Sequence, residues 1–101
     1  MKRTVDVSVM EFVRGKKRVR LTGVEFKLLN IIALSQLLYG QGKVHSMDRI
    51  SKRIGLDAHR AKTHLSNLRK KLREVGDGDL LPYFADGSVC ASKTIEIKNK
   101  F

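Results

Sequence analysis

One short stretch in the middle of the chain constrains the fold most, because it joins two helical patterns with almost no room for a loop. A pattern typical of a short helix runs from Met47 to about Ile54, and Ser46 occupies its N-cap position. Gly55 follows where a glycine in the left-handed conformation closes a helix, and Asp57 stands where a carboxylate caps the next one. A second helical pattern continues from about Ala58 to Glu74. The sequence therefore predicts helix, tight turn, helix.

The longer of these two predicted helices has two chemically different faces. Its apolar residues recur at helical spacing and form one stripe: Ala61, Leu65, Leu68 and Leu72. At about 100° per residue, the opposite face is polar and contains no carboxylate: His59, Thr63, Ser66, Asn67 and Lys70. Cations flank that face on both sides: Arg60, Lys62, Arg69 and Arg73. We therefore expect one face to pack against the core and the other to meet a partner.

The N-terminal part of the chain predicts a β-hairpin followed by a core helix. Apolar and polar residues alternate from Val5 to Val9, and the alternation resumes beyond a turn at residues 14–17. Thr22-Gly23-Val24-Glu25 has the spacing of a capping box, which predicts a helix from about Gly23 to Leu38. Apolar residues cover nearly its whole circumference: Phe26, Leu28, Leu29, Ile31, Ile32, Ala33, Leu34 and Leu37. We therefore expect this helix to be buried on several sides.

The C-terminal part predicts a second hairpin. Two segments with strand character, Leu80 to Phe84 and Val89 to Ile97, flank Asp86-Gly87, which is a strong signal for a hairpin turn. Together with the three helices, these strands predict a single α+β domain over residues 1–101. Within it, the helix-turn-helix covers about 47–74 and the second hairpin about 80–98.

The charge of the chain is strongly positive and unevenly distributed. Lys and Arg number 21 against 10 Asp and Glu, so the formal net charge is +11. Residues 43–74 carry +7 of this charge, whereas residues 75–101 carry −1. An excess of this size predicts a polyanionic partner, which the middle of the chain would meet.

A DNA duplex is the polyanion that best fits the polar helix face. A helix fits the major groove, where short polar side chains read base edges while Lys and Arg hold phosphates. The residues predicted to meet base edges are Thr63, Ser66 and Asn67, with His59 and Lys70. Those predicted to hold phosphates are Arg60, Lys62, Arg69 and Arg73. The sequence therefore predicts sequence-specific binding to double-stranded DNA.

Three segments carry a resemblance to a known family: Leu21-Thr22-Gly23-Val24-Glu25-Phe26-Lys27-Leu28-Leu29, Gly42-Lys43-Val44-His45-Ser46 and His64-Leu65-Ser66-Asn67-Leu68-Arg69-Lys70-Lys71-Leu72. They resemble the effector domain of OmpR/PhoB-type response regulators. The resemblance implies a winged helix-turn-helix transcription regulator, bacterial or phage. Its third helix would enter the major groove, and its C-terminal hairpin, the wing, would contact the minor groove. The resemblance also implies that two copies bind side by side on direct-repeat half-sites.

The chain departs from the family pattern in four respects. Asn67 stands where the family usually has Arg, which shifts the expected base from guanine towards adenine. Asp86 stands in the wing, where the family has an Arg-Gly pattern and a carboxylate would repel phosphate. The loop around residues 35–42 is longer than in the family, so a role for it in contacting a partner stays open. No phosphoacceptor receiver domain accompanies the segment, so we expect a stand-alone regulator that its own phosphorylation does not switch.

Two other binding functions are alternatives to DNA recognition. The first is a protein-interaction module, in which the winged-helix body binds an acidic surface on RNA polymerase or on another regulator. The basic turn at residues 14–20 would suit such a contact, although a solvated turn is its default interpretation. The second is RNA binding, which is disfavoured because no exposed aromatic platform accompanies the basic face.

Other classes of site have little support in the sequence. His45, His59 and His64 lack the spacing and the accompanying ligands of a metal site, so we expect neither a metal nor a cofactor. No nucleophile is paired with a base and an orienting group, so we expect no enzymatic activity. The single Cys90 cannot form an internal disulfide. No apolar run is long enough to span a bilayer and no signal-peptide pattern is present, so we expect a cytoplasmic protein.

Overall fold

The computed structural model describes residues 2–40 and 44–98, and within them the chain forms three helices and six short strands. The helices are α1 (Gly23–Tyr39), α2 (Met47–Ile54) and α3 (Ala58–Glu74). The strands are β1 (Arg3–Asp6), β2 (Glu11–Arg14), β3 (Lys17–Arg20), β4 (His45–Ser46), β5 (Ser88–Val89) and β6 (Glu96–Lys98). The predicted α+β class is confirmed, and so are the predicted bounds of α2 and α3.

The N-terminal sheet contains a strand that the predicted hairpin lacked. Strands β1, β2 and β3 pair antiparallel in succession, and β6 adds in parallel beside β1, which gives the order β3-β2-β1-β6. The prediction of one strand through Val9 was wrong, because the Asp6 carboxylate accepts hydrogen bonds from Ser8 N at 3.2 Å and Ser8 Oγ at 2.7 Å. These bonds close a turn after β1. The chain then passes through Met10, whose φ is 52°, and returns as β2.

The C-terminal part forms the predicted turn at Asp86-Gly87, but the segments that flank it are not the two regular strands predicted over 80–98. The segment Leu80 to Phe84 is not a regular strand, although a bridge between Tyr83 and Val89 connects it to the facing segment. Three backbone hydrogen bonds also join the two segments: Phe84 N to Ser88 O at 2.8 Å, Cys90 N to Pro82 O at 3.4 Å and Ser92 N to Leu80 O at 2.8 Å. Strand β5 also pairs with β4, while β6 joins the N-terminal sheet. The predicted strand from Val89 to Ile97 is interrupted because the Gln36 side chain of α1 binds its backbone. Gln36 Nε2 donates to Lys93 O at 2.9 Å and Gln36 Oε1 accepts from Ile95 N at 2.8 Å.

Helix α1 begins where the capping box predicts and is buried over only part of its length. Thr22 Oγ1 accepts from Glu25 N at 3.3 Å, and Glu25 Oε1 accepts from Thr22 N at 2.8 Å. The helix ends at Tyr39, one residue beyond the predicted end. The expectation of burial on several sides was wrong for its last turns, where Leu34 and Leu37 are exposed.

One apolar core connects the sheet with the three helices. Its fully buried side chains include Phe12 from β2, Leu28 from α1, Ile50 from α2 and Leu68 from α3. Ile95 adds a contribution from the segment before β6. Among residues 2–40 and 44–98, no helix is long and apolar enough to cross a membrane.

Candidate nucleic-acid interface

The turn between α2 and α3 has the geometry that its sequence predicts. Gly55 adopts the left-handed conformation, with φ 76° and ψ 26°, and Leu56 N donates to Ser51 O at 3.0 Å. Asp57 caps α3, because its Oδ1 accepts from Arg60 N at 2.8 Å. Ser46 precedes α2 as expected, but its side chain makes no capping hydrogen bond. A connection of three residues, from Gly55 to Asp57, therefore sets the direction in which α3 leaves α2.

Helix α3 has the two faces that its sequence predicts. The apolar stripe is buried: Ala61, Leu65, Leu68 and Leu72. Eight of the nine predicted partner-facing residues are exposed: His59, Arg60, Lys62, Thr63, Ser66, Asn67, Lys70 and Arg73. The ninth, Arg69, is half-buried. The helix thus brings all nine residues to its outer surface and flanks.

Three of these residues interact with a neighbouring group of the protein or are partly buried. Thr63 Oγ1 donates to His59 O at 3.2 Å, which leaves the hydroxyl oxygen able to accept from a partner. Arg60 Nε lies 3.7 Å from Asp57 Oδ2 in an exposed pair, so this guanidinium is screened by solvent and can turn to a phosphate. Arg69 Nε is buried and makes no hydrogen bond, so Arg69 is less accessible than the other cations.

One feature of the outward face was predicted wrongly. Glu74 is the last residue of α3 and its side chain is exposed. Four residues separate it from Lys70, which places the two side chains about 40° apart around the helix. The outward face is therefore free of carboxylates only up to Arg73. A phosphate contact beyond that point would meet a repulsive charge.

Lys71 lies on the same helix but is occupied by an ion pair inside the fold. Its Nζ lies 2.6 Å from Oε1 of Glu25, whose side chain is buried at the start of α1. Burial alone would raise the pKa of Glu25, but the hydrogen bonds from Lys71 and from the backbone and hydroxyl of Thr22 outweigh it, and the pKa is lowered. This pair holds α3 against the first turn of α1.

A second ion cluster holds the chain that follows α3. Asp77 is fully buried, and Arg3 Nε of β1 donates to its Oδ1 at 3.0 Å. Arg14 Nε lies 3.3 Å from the same oxygen, and Arg14 Nη1 donates to Val75 O at 3.2 Å. Arg14 was part of the predicted basic turn, but its side chain points to the end of α3. Sequence periodicity gives no signal for this contact, because 61 residues separate Arg14 from Val75.

The turn at Asp86 lies beside the start of α2. Asp86 Oδ1 accepts from Ser88 N at 3.0 Å and from Ser88 Oγ at 2.5 Å, and these two bonds lower its pKa. Gly87 has a φ of 85°, which the turn requires, and its O accepts from Met47 N at 3.0 Å. The carboxylate is therefore charged at neutral pH, exposed and fixed near the first residue of α2.

The three histidines lie at separate places. His59 is exposed on α3, whereas His45 and His64 are half-buried. Within the part of the chain that the structure describes, no three His, Cys, Asp or Glu side chains form a group that could hold a metal ion. Comparisons of the chain with protein families, with curated proteins and with solved structures gave no match.

Proposed function

We propose that this protein binds double-stranded DNA in a sequence-specific way through α3 and regulates transcription as a winged helix-turn-helix protein of the OmpR/PhoB type. One observation carries the proposal: α3 buries a continuous apolar stripe and presents polar and cationic side chains along the opposite face. That face follows a capped turn of the length found in helix-turn-helix motifs.

The side chains on α3 divide into two groups by length and chemistry. Thr63, Ser66 and Asn67 are short, exposed groups that can donate or accept hydrogen bonds at base edges, and His59 and Lys70 extend the same face. The longer cations on the flanks suit the phosphates on either side of a groove: Arg60, Lys62, Arg69 and Arg73. The ion pairs at Glu25 and Asp77 support this assignment, because a reading helix works best when its position is fixed before binding.

The salt dependence of binding tests whether phosphates are contacted. Lys71 is paired within the fold, so the cations left on the outer part of α3 are Arg60, Lys62, Arg69, Lys70 and Arg73. If four or five of them meet phosphates, log K should fall against log salt with a slope of about −3.6 to −4.5. Fluorescence anisotropy with a labelled random duplex measures this slope. A slope near zero would contradict the proposal.

Sequence specificity needs a separate measurement. Selection of bound sequences from a random duplex pool should yield a preferred site, and Lys62→Ala should weaken binding to it and flatten the salt slope by about one unit. Lys98→Ala is the matched control, because it removes the same charge from β6, in the N-terminal sheet. Enrichment of no sequence above background would leave only non-specific binding and refute the regulatory part of the proposal.

A further inference from the structure

The last two turns of α1 expose a set of large apolar side chains that the core does not use. Leu34 is 43% exposed, Leu37 68%, Leu38 74% and Tyr39 70%. We call these four residues the α1 terminal patch. Single exposed apolar residues are ordinary on protein surfaces, but a contiguous group at one helix end is characteristic of an interaction site.

Two adjoining grooves connect the patch to α2. The larger has a volume of about 640 Å³ and the smaller about 310 Å³, and both are lined by Ile31, Ser35, Tyr39 and Arg53. Ile50 of α2 contributes to the larger groove. The grooves give the α1 terminal patch depth, so side chains of a partner can enter between the helices instead of resting on a flat surface.

The charged groups of these grooves are all basic. Arg49 and Arg53 lie four residues apart on α2 and are both exposed. No Asp or Glu is among the described residues that line either groove. An apolar trough with two cations on its rim is complementary to a segment that combines apolar side chains with carboxylates.

We propose that the α1 terminal patch and its grooves are a docking site for an acidic amphipathic segment of another protein. Apolar side chains of that segment would enter the grooves beside Ile31 and Tyr39, and its carboxylates would pair with Arg49 and Arg53. This contact is independent of the DNA-binding proposal, because none of these residues lies on α3.

Two other occupants fit the same surface less well. A second copy of the chain packed patch to patch would bring the Arg49 and Arg53 pairs of both copies together, on a protein whose net charge is +11. DNA would satisfy the two cations but would leave Leu37 and Leu38 without an apolar partner. Both occupants are outcomes that the experiment distinguishes.

The test is a selection from a random displayed peptide library on the intact protein. The double variant Leu37→Ser, Leu38→Ser serves for counter-selection, because both side chains are exposed and their replacement should not affect folding, which a urea melt checks. Peptides retained by the wild type and not by this variant should share carboxylates and apolar residues at helical spacing. A selection that retains no such peptides, or retains basic ones, overturns the proposal.

Charge reversal then tests the cations. The enriched peptide should bind Arg49→Glu and Arg53→Glu about tenfold more weakly, and it should bind Lys62→Glu on α3 as well as it binds the wild type. Equal weakening by Lys62→Glu would show attraction by net charge alone and would refute the site. Sedimentation of the wild type as a dimer and of the double Ser variant as a monomer would assign the patch to a second copy. A loss of duplex binding in Arg49→Glu and Arg53→Glu, with no acidic peptide enriched, would assign the two cations to DNA and overturn the proposal.

Discussion

Replacing Asp77 with asparagine tests whether the buried ion cluster stabilises the fold. The substitution keeps the size and shape of the side chain and removes its charge. Asp77 is fully buried, while the Arg3 and Arg14 side chains retain 14% and 25% exposure. The two guanidinium groups would then lie half-buried beside a neutral amide. Their remaining contact with water cannot replace the charged acceptor that they lose.

The size of the effect follows from this partial exposure. Removing one partner from a fully buried ion pair costs about 3–5 kcal/mol. Because both arginines reach some water, we expect Asp77→Asn to lower the free energy of unfolding by about 2–4 kcal/mol. For a domain of this size, that corresponds to a fall in Tm of about 8 °C or more. Urea and thermal unfolding at neutral pH measure both quantities.

Asp79 supplies the matched control two residues further along the chain. Its side chain is 75% exposed and lies 3.7 Å from Lys93 Nζ, so Asp79→Asn should cost about 0.5 kcal/mol or less. A double-mutant cycle of Asp77→Asn with Arg3→Gln should then give an interaction free energy between the two side chains that is well above zero. If Asp77→Asn and Asp79→Asn lower the free energy of unfolding by the same amount, the cluster makes no net contribution to stability. That result would refute the reasoning from burial.

The remaining predictions concern DNA contacts, core packing, pH and the turn after α3. Asn67→Ala should weaken binding to a selected duplex by about 1–3 kcal/mol and leave random-duplex binding nearly unchanged in anisotropy titrations; equal losses on both duplexes would contradict base reading. Leu65→Ala should act on the fold and lower the free energy of unfolding by about 2–5 kcal/mol, because the side chain is buried in the core; a urea melt that matches the wild type would contradict this packing. The lowered pKa of Glu25 contributes stability that is present above its ordinary value of 4.5 and is lost as pH falls through the lower value in the fold. Unfolding measured against pH should therefore be flatter below 4.5 in Glu25→Gln than in the wild type, and parallel profiles would count against the pair with Lys71. Asp86→Asn keeps a side-chain oxygen for the turn and removes the charge, so duplex binding should be unchanged or slightly stronger; loss of binding in a folded variant would make this turn a principal contact.

The helices could be predicted because the signals that start and end them are local. Asp57 caps α3 through a backbone N–H three residues away, and Thr22 and Glu25 cap α1 over the same spacing. Gly55 ends α2 by its own conformation. Each signal lies within one helical turn of the boundary that it sets, so a single sequence contains all the information needed.

The strands were predicted less well because their partners are distant in the chain. Strand β6 pairs with β1, and about ninety residues separate the two strands in the chain. Neither segment contains a local signal that identifies the other as its pairing partner. The Gln36 side chain interrupts the C-terminal strand from a helix 57 to 59 residues away. Local pattern located β3, which begins after the turn that Gly15 makes with a φ of 61°, and it located part of β1, β5 and β6 without their bounds.

The composition of the candidate interface could be predicted, but the number of available cations could not. Helical periodicity placed Lys62, Ser66 and Asn67 on the outer face, where they are exposed. The same periodicity cannot show that Lys71 meets Glu25, because the contact depends on how α1 packs against α3. Half-burial of Arg69 has the same origin, in packing between elements rather than along one helix.

The count of 21 Lys and Arg therefore overstates the number of cations that can meet a polyanion. Lys71 is paired with a buried carboxylate, and Arg3 and Arg14 share another. These three cations act within the fold, and both ion clusters lie at the C-terminal end of α3, whose first turn is fixed by the Asp57 cap. A helix fixed in this way loses little conformational freedom if its outer face binds a partner, so less of the contact energy is spent on ordering it. The basic residues of this chain thus divide between those that hold α3 in place and those that α3 presents to a partner.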